Sequence, residues 1–244
     1  MSEFFIRTEN RSGKTVIADR FFTAPLKIAK PFYRENHTEM MMMSAGPGML
    51  PGDFYDIKLE LGASTHTKIT GQSYQKIFRA QTVGCGQCIT VTVGENAALF
   101  YMPFPLISFA ESRFQSRTQI NLAESSKLLY CEILQAGRSG ERFEFSEYAS
   151  RVQVLAKERL AFLDYTRLNP REAAADSLGF FEGRVCQGMI YGYGYEIPEL
   201  PDASGVEAAV SAAREGFCAR MLGNSADDLF CFANALCDEL IHRG

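Results

Sequence analysis

The sequence contains no tryptophan and only three histidines, His37, His66 and His242, which lie far apart along its 244 residues. Histidine is the usual base of nucleophilic triads and a common metal ligand, so three scattered copies without ligand spacing support neither kind of site. The motifs of α/β-hydrolases, zinc proteases and phosphate-binding loops are also missing from the sequence. The chain therefore contains no catalytic constellation of these kinds.

An excess of positive charge is missing as well. The formal net charge is -4, and a mildly acidic chain gives no basic stripe for a phosphate backbone, so we expect no nucleic-acid partner. The sequence has no apolar run of the roughly 18 residues that would span a membrane. Residues 1–5 also lack the basic region and apolar core of a signal peptide. We therefore expect a cytoplasmic protein without a membrane partner.

The seven cysteines are odd in number, and most lie within apolar runs. Buried free thiols in a reducing compartment explain this usage better than a secreted disulfide framework does. Cys85 and Cys88 form a C-x-x-C motif, which can hold zinc or act as a redox pair. A zinc site needs two further ligands, and a thioredoxin-like motif opens a helix, whereas this one precedes an alternating strand. We interpret the motif as a turn that contains two small residues.

Apolar and polar residues alternate in many short runs over residues 1–200. Tyr55, Ile57, Leu59 and Leu61, for example, are separated by charged residues, and this period of two predicts a strand with one buried face. Glycine and proline separate the runs and predict turns. Many strands without intervening helices predict a mainly β body. A sandwich, a barrel and a layered β-solenoid all fit, and no repeat of fixed period favours the solenoid.

Residues 201–244 have a different character, and we predict a small helical segment that packs on the β body as part of one structural unit. Ser204 and Glu207 match a capping box. The apolar positions that follow are spaced as on one helical face, namely Val206, Ala209, Val210 and Ala213. We therefore predict a helix over these residues.

Gly216 permits a break after that helix, with a short strand over residues 217–222. Ser225 and Asp228 then indicate a second helix start. Apolar residues recur at helical spacing from there toward the C-terminus, among them Leu229, Phe232 and Leu236. We expect this face to need a cover, which is either the β body or a partner protein.

A set of polar residues lies beside the predicted turns, where we place them at strand ends. The set comprises Asp53, Thr70, Gln72, Lys76, Glu132, Arg138 and Glu141. Side chains of this kind that point inward are costly unless they are hydrated or paired, and a water-filled passage would satisfy them. A solvated outer face is the ordinary alternative, in which Arg138 pairs with Glu141 at the surface.

Five segments of the chain occur in an order that matches one known family. They are residues 25–33 (PLKIAKPFY), 44–53 (SAGPGMLPGD), 70–79 (TGQSYQKIFR), 101–110 (YMPFPLISFA), and Glu132 followed by 137–143 (GRSGERF). Together they resemble the UreD family, also called UreH, of urease accessory proteins. Pro51, Gly71 and Ser108 depart from the residues that the family usually has there, which are Gly, Thr and Pro. The resemblance is specific because all five segments occur in the same order as in the family.

The resemblance implies a mainly β, layered, helix-like body with a small helical C-terminal piece. It also implies a non-enzymatic scaffold, or chaperone, that links apo-urease to UreF and to the GTPase UreG during nickel metallocentre assembly. Under this interpretation no cofactor is tightly bound, nickel is transient, and a homodimer can form within the accessory complex.

From the same resemblance we predict an internal route for nickel, lined by at least two of the three acids in these segments. The candidate residues are Asp53, Thr70, Gln72, Glu132 and Glu141. Oxygen ligands suit a transfer route because they bind a divalent ion more reversibly than thiolates do. For the contact with UreF we predict exposed positions among Leu229, Phe232 and Leu236.

Two other classes of function remain open at this point. One is a β-rich hydrolase that uses paired carboxylates, such as Asp53 with Glu132 or Glu141. Sugar-binding sites of that kind usually add exposed aromatic residues, and this chain has no tryptophan. The other is a general β-rich binding module.

Overall fold

The computed structural model describes residues 1–243, except for the side chain of residue 243. Its strands are β1 Ser2–Arg11, β2 Lys14–Phe22, β3 Leu26–Ile28, β4 Phe32–Tyr33, β5 Thr38–Ser44, β6 Phe54–Leu61, β7 His66–Gly71, β8 Gln75–Ile77, β9 Cys85–Val93, β10 Ala98–Met102, β11 Leu106–Ser108, β12 Arg113–Leu122, β13 Lys127–Gln135, β14 Glu147–Ala156, β15 Arg159–Leu168, β16 Cys186–Tyr193, β17 Val206–Ala213 and β18 Gly216–Gly223. One helix, α1 Ala226–Arg243, follows them within the described chain.

The strands form a β-solenoid of about four turns, in which the chain passes back and forth between two sheets. Sheet A has the order β15-β14-β12-β9-β6-β1-β2, and the main path of sheet B is β17-β18-β16-β13-β10-β7-β5-β3. Successive turns pair in parallel, as β6 with β9 and β9 with β12 in sheet A, and β7 with β10 and β10 with β13 in sheet B. The predicted layered β body is confirmed.

The core lies between the two sheets, and the alternation in the sequence places it there. The alternating apolar residues of β6 are buried, as predicted, and Ile57 pairs with Ile89 while Leu59 pairs with Val91 on the next turn. Each of these side chains is at most 2% exposed. Full burial of one such side chain stabilises a fold by about 1.5–3 kcal/mol, so stacked rows of them hold the turns together.

The helix predicted over Val206, Ala209, Val210 and Ala213 is wrong, because these residues belong to strand β17. It pairs antiparallel with β18, and β18 pairs with β16, so that the hairpin extends sheet B. Local helix preference is weak compared with the pairing and packing that a neighbouring strand supplies. The strand predicted at 217–222 is confirmed by β18.

Helix α1 covers the outer face of sheet B. Ser225 Oγ accepts a hydrogen bond from the backbone N–H of Asp228 at 3.2 Å, which confirms the predicted helix start. The apolar face of α1 joins a second buried cluster with sheet residues such as Phe100 and Leu129. Its first turn is tied down by a hydrogen bond from Tyr74 to Asp227. The outer face of sheet A, in contrast, carries exposed polar side chains, for example on β12.

The described residues include no helix with the length and apolar character required to cross a bilayer.

Candidate functional site

A cleft of about 490 Å³ lies between the two sheets near the last turn of the solenoid. Strands β14 and β15 of sheet A form one wall, and β13, β16 and β18 of sheet B form the other. Its polar lining residues include Glu132, Asp164, Thr166, Gln187 and Arg220. Charged side chains at this depth in a β core are costly unless they are paired or hydrated, so the cleft is the candidate functional site.

Glu132 lies on the inner face of β13, in the same row as the buried residues Leu128, Tyr130 and Leu134. It pairs with Met189 of β16, which pairs in turn with Arg220 of β18, so the three residues cross sheet B side by side. The sequence predicts Glu132 at a strand end beside a turn, and the structure corrects this, because Glu132 lies within β13. A half-buried acid therefore interrupts a row of buried apolar residues at this position.

Two hydroxyl groups, those of Tyr130 and Ser150, hold the Glu132 carboxyl group by hydrogen bonds. Tyr130 Oη donates to Oε1 at 2.8 Å. Ser150 Oγ, on the opposite sheet, lies 2.9 Å from Oε1 and 3.0 Å from Oε2, and its single proton serves one of these oxygens at a time. Tyr130 is itself stacked on Tyr101, with ring centroids 5.5 Å apart. The carboxyl group is thus fixed in position by two hydroxyl groups on rigid strands.

Burial raises the pKa of Glu132 to about 7, well above its ordinary value of 4.5. The hydrogen bonds from Tyr130 and Ser150 stabilise the charged form and lower the pKa in part. Nearby Asp164 raises it further, and Arg220 lowers it. The result is an acid that exchanges its proton near neutral pH.

Asp164 and Arg220 form an ion pair that joins the two sheets across this cleft. The Asp164 side chain is 14% exposed and the Arg220 side chain is 54% exposed, so the arginine is the partner that faces solvent. Thr166 adds a hydrogen bond to Asp164 at 3.4 Å. Asp164, Thr166 and Arg220 are not among the sequence-based candidates. The alternation of polar and apolar residues predicts strands, but the pairing of these residues depends on contacts between strands that are distant in the sequence.

Asp53 occupies a different part of the molecule. Its carboxylate accepts the backbone N–H of Leu50 at 2.8 Å and so closes the turn that precedes β6. It lines a second cavity, of about 370 Å³, together with Cys85 and Arg113. Burial, with a smaller contribution from Asp53, raises the pKa of the Cys85 thiol to about 12.

Thr70 and Gln72 do not share the space of Glu132 either. Thr70 pairs with Met102, which belongs to the cluster beneath α1, and it therefore faces away from the inner row of sheet B. Its hydroxyl donates to the carbonyl of Gly71 at 2.9 Å. Gln72 lines a third cavity, of about 220 Å³, near Met49 and Tyr55.

Glu141 anchors a loop. It pairs with Arg138, whose Nε lies 2.6 Å from Oε1, and its other oxygen accepts the backbone N–H of Ala110 at 3.0 Å. This is the Arg138–Glu141 pair expected if these residues lie on a solvated outer face, although the Glu141 side chain is only 15% exposed. Asp53, Gln72 and Glu132 thus line three separate cavities. A passage lined by at least two of the three acids Asp53, Glu132 and Glu141 stays a prediction.

The three α1 residues proposed for partner contact are buried. Leu229 and Leu236 are 0% exposed, and Phe232 is 3% exposed. Their role in the isolated chain is to hold α1 on sheet B, which corrects our expectation that exposed positions lie among them. The solvent-facing side of α1 instead carries Asp227, Cys231, Ala235 and Asp238, of which Asp238 pairs with the nearly buried Lys68.

The C-x-x-C motif is part of strand β9, so its interpretation as a turn is wrong. Cys85 is buried on the inner face, and Cys88 lies half-buried on the outer face. Residues three apart on a strand point to opposite sides, so the two thiols cannot bind one ion together. Among the described residues, no group of three or more His, Cys, Asp or Glu could hold a metal ion.

Comparison with known proteins gives a consistent result over nearly the whole chain. A family model described as UreD urease accessory protein matches residues 2–242. A urease accessory protein UreD of Acetivibrio thermocellus is 39% identical over 243 residues, covering 93% of this chain and 92% of its own. A urease accessory protein UreH of Helicobacter pylori is 33% identical over 227 residues, covering 89% and 86%. A UreD of Flavobacterium johnsoniae is 29% identical over 238 residues, covering 90% and 85%.

Proposed function

Because the chain belongs to the UreD family of urease accessory proteins, we propose that it is the scaffold that links apo-urease to UreF and UreG while nickel is inserted. The chain is an accessory protein of the chaperone type rather than an enzyme. The family match over residues 2–242 is the observation that carries this proposal. We place the role in the cytoplasm, in keeping with seven cysteines that are all free.

The cleft of Glu132 supports a finer proposal, in which nickel passes between the two sheets as cargo. Glu132 offers carboxylate oxygens on one wall of the cleft, and Asp164, which is paired with Arg220, offers its second oxygen on the opposite wall. Such oxygens bind divalent ions more reversibly than thiolates do. With a pKa of about 7, Glu132 is ionised for part of the time near neutral pH. Protons then compete with the ion for the carboxylate, which keeps the binding weak enough for release.

Asp53, Thr70, Gln72 and Glu141 have less support as lining of this route. Each is held by a local contact or faces another space, as the hydrogen bonds of Asp53 and Glu141 illustrate. We still propose that these four residues contribute to the route of nickel, at positions outside the cleft. Contact with UreF is placed on the exposed side of α1, around Cys231 and Ala235. Formation of a homodimer within the accessory complex is a further expectation.

The carboxylate-pair hydrolase is not favoured. Asp53 and Glu132 line different cavities, and the carboxylate of Glu141 is paired with Arg138, so these acids do not flank one common substrate position. A general β-rich binding module remains compatible with the fold, but the family assigns a more specific role.

The experiment is coexpression of this chain with urease, UreF and UreG at limiting nickel. Glu132→Gln keeps the size and the hydrogen-bond acceptor of the side chain but removes its charge. We expect urease with less nickel while the accessory complex still copurifies. Glu144→Gln, at an exposed position, is the matched control and should leave nickel content unchanged. Normal nickel content with Glu132→Gln would reject the route through the cleft, and failure of the wild-type chain to copurify with apo-urease would reject the scaffold.

A further inference from the structure

Two arginines lie directly side by side on the outer face of sheet A. Arg117 of β12 pairs with Arg151 of β14 in the parallel register, and Arg151 pairs with Tyr165 of β15. Both arginines are exposed. Like charges directly opposite one another on adjacent strands destabilise a sheet. Repulsion between the two guanidinium groups therefore lowers the stability of the isolated chain.

Neither guanidinium group has a carboxylate partner within the described part of the chain. Arg151 donates only a long hydrogen bond, of 3.4 Å, to the amide oxygen of Gln153. The arginines nearby differ, because Arg113 and Arg167 both pair with Glu147, at 3.8 Å and 3.6 Å. Glu147 is thus already shared by two cations, and the positive charge of Arg117 and Arg151 is left uncompensated on a chain whose net charge is -4.

The two arginines border a shallow groove of about 390 Å³. Its other lining residues are Gln115, Ser116, Glu147, Ala149, Leu163 and Tyr165, and Glu147 is the acid already paired with Arg113 and Arg167. Leu163 is 49% exposed and Tyr165 is 61% exposed, and both lie on β15 beside the arginine row. Protein–protein interfaces are enriched in arginine and tyrosine beside exposed apolar side chains, as in this groove.

We propose that this groove, bordered by Arg117, Arg151, Leu163 and Tyr165, docks an acidic segment of a partner protein. Each guanidinium group presents a planar fork that matches a carboxylate. Two neighbouring acidic side chains of the partner compensate the two charges and remove the repulsion between them. Leu163 and Tyr165 then pack on the apolar parts of the same segment. Nucleic acid fits less well, because two cations on an acidic protein neutralise few phosphates.

The test measures binding of a fluorescently labelled oligoglutamate peptide to the full-length chain by anisotropy. We expect the double variant Arg117→Gln/Arg151→Gln to bind the peptide about tenfold more weakly than the wild type, since two charge-assisted contacts are lost. Arg20→Gln is the matched control, because Arg20 is an exposed arginine of β2 in the same sheet. Its affinity should equal that of the wild type.

Thermal unfolding checks that the variants are folded, and the double variant should be at least as stable as the wild type because the repulsion is gone. Equal peptide affinity of the wild type and the double variant would overturn the proposal. So would equal loss in Arg20→Gln, which would indicate non-specific attraction. Tighter binding of a single-stranded DNA oligonucleotide than of oligoglutamate, lost in the same double variant, would also overturn it, because the groove would then prefer phosphates.

Discussion

Ser150 of sheet A donates a hydrogen bond to Glu132 of sheet B, with Oγ 2.9 Å from Oε1. The bond crosses the interior of the solenoid and gives an acid in the core a fixed partner on the opposite wall. Without such partners a buried carboxylate would be strongly destabilising. This contact, with the Asp164–Arg220 pair beside it, makes the inter-sheet cleft a polar site within an otherwise apolar core.

The first prediction concerns the pH dependence of stability. The pKa of Glu132 is raised from 4.5 to about 7 in the folded chain. Well below pH 4.5 the carboxyl group is protonated in both the folded and the unfolded state, so its titration does not change the free energy of unfolding there. As pH rises from 4.5 toward 7, the unfolded state ionises first, and the folded state loses about 3 kcal/mol relative to it by pH 8.

Glu132→Gln should remove this loss, so the variant should be more stable than the wild type at pH 8, with the difference shrinking toward pH 5. Urea unfolding at several pH values measures it, and Glu144→Gln serves as the control at an exposed position. A difference that does not change with pH would contradict the raised pKa.

The second prediction concerns the charged neighbours of Glu132. Asp164 raises the pKa of Glu132, and Arg220 lowers it. Asp164→Asn should therefore move the midpoint of the Glu132 titration to lower pH, whereas Arg220→Met should move it to higher pH. Carboxyl carbon NMR follows the titration directly. Shifts of the same sign in both variants would show that the two residues do not act through their charges.

The third prediction concerns the close approach of β16 and β18. A Cβ atom on Gly192 would lie 2.2 Å from Cε1 of Phe217, which is far inside contact distance. Gly192→Ala should lower the free energy of unfolding by about 1–3 kcal/mol, as overpacking of a core does. Gly46→Ala is the control, because its nearest neighbours would be 3.6 Å away. Equal urea midpoints for the two variants would contradict the packing.

The fourth prediction separates the two sides of α1. Phe232 is 3% exposed, so Phe232→Asp buries a charge and should destabilise the fold by about 4 kcal/mol or release α1 from the sheet. Ala235 faces solvent, and Ala235→Asp should leave thermal unfolding unchanged but weaken coelution with UreF. If Ala235→Asp coelutes with UreF like the wild type, the proposed contact lies elsewhere on the chain.

The sequence predicts well where a pattern is local and repeated. The alternation of Tyr55, Ile57, Leu59 and Leu61 identified both the strand and its buried face, since a strict period of two is typical of a strand with one side in the core. This alternation does not distinguish a β-solenoid from a β-sandwich. That choice depends on the parallel pairing of distant strands, and connections of unequal length conceal the repeat.

Positions whose surroundings come from distant segments were harder to predict. Ala209 and Ala213 have high helix preference, and only the pairing with β18 makes their segment a strand. Glu132 was recognised as a candidate, but its hydroxyl partners and the nearby ion pair follow from contacts between strands far apart in the chain. The sequence therefore singled out one acid that lines the cleft, but not the residues that surround it there.

The nickel content of urease made without this chain is the most direct measurement of its function. A host that expresses urease, UreF and UreG at limiting nickel is compared with and without this protein, and metal is measured in the purified enzyme. Without the chain we expect urease that is assembled but poor in nickel, and the wild-type chain should restore the metal. Urease with full nickel content and normal activity in its absence would contradict the accessory role.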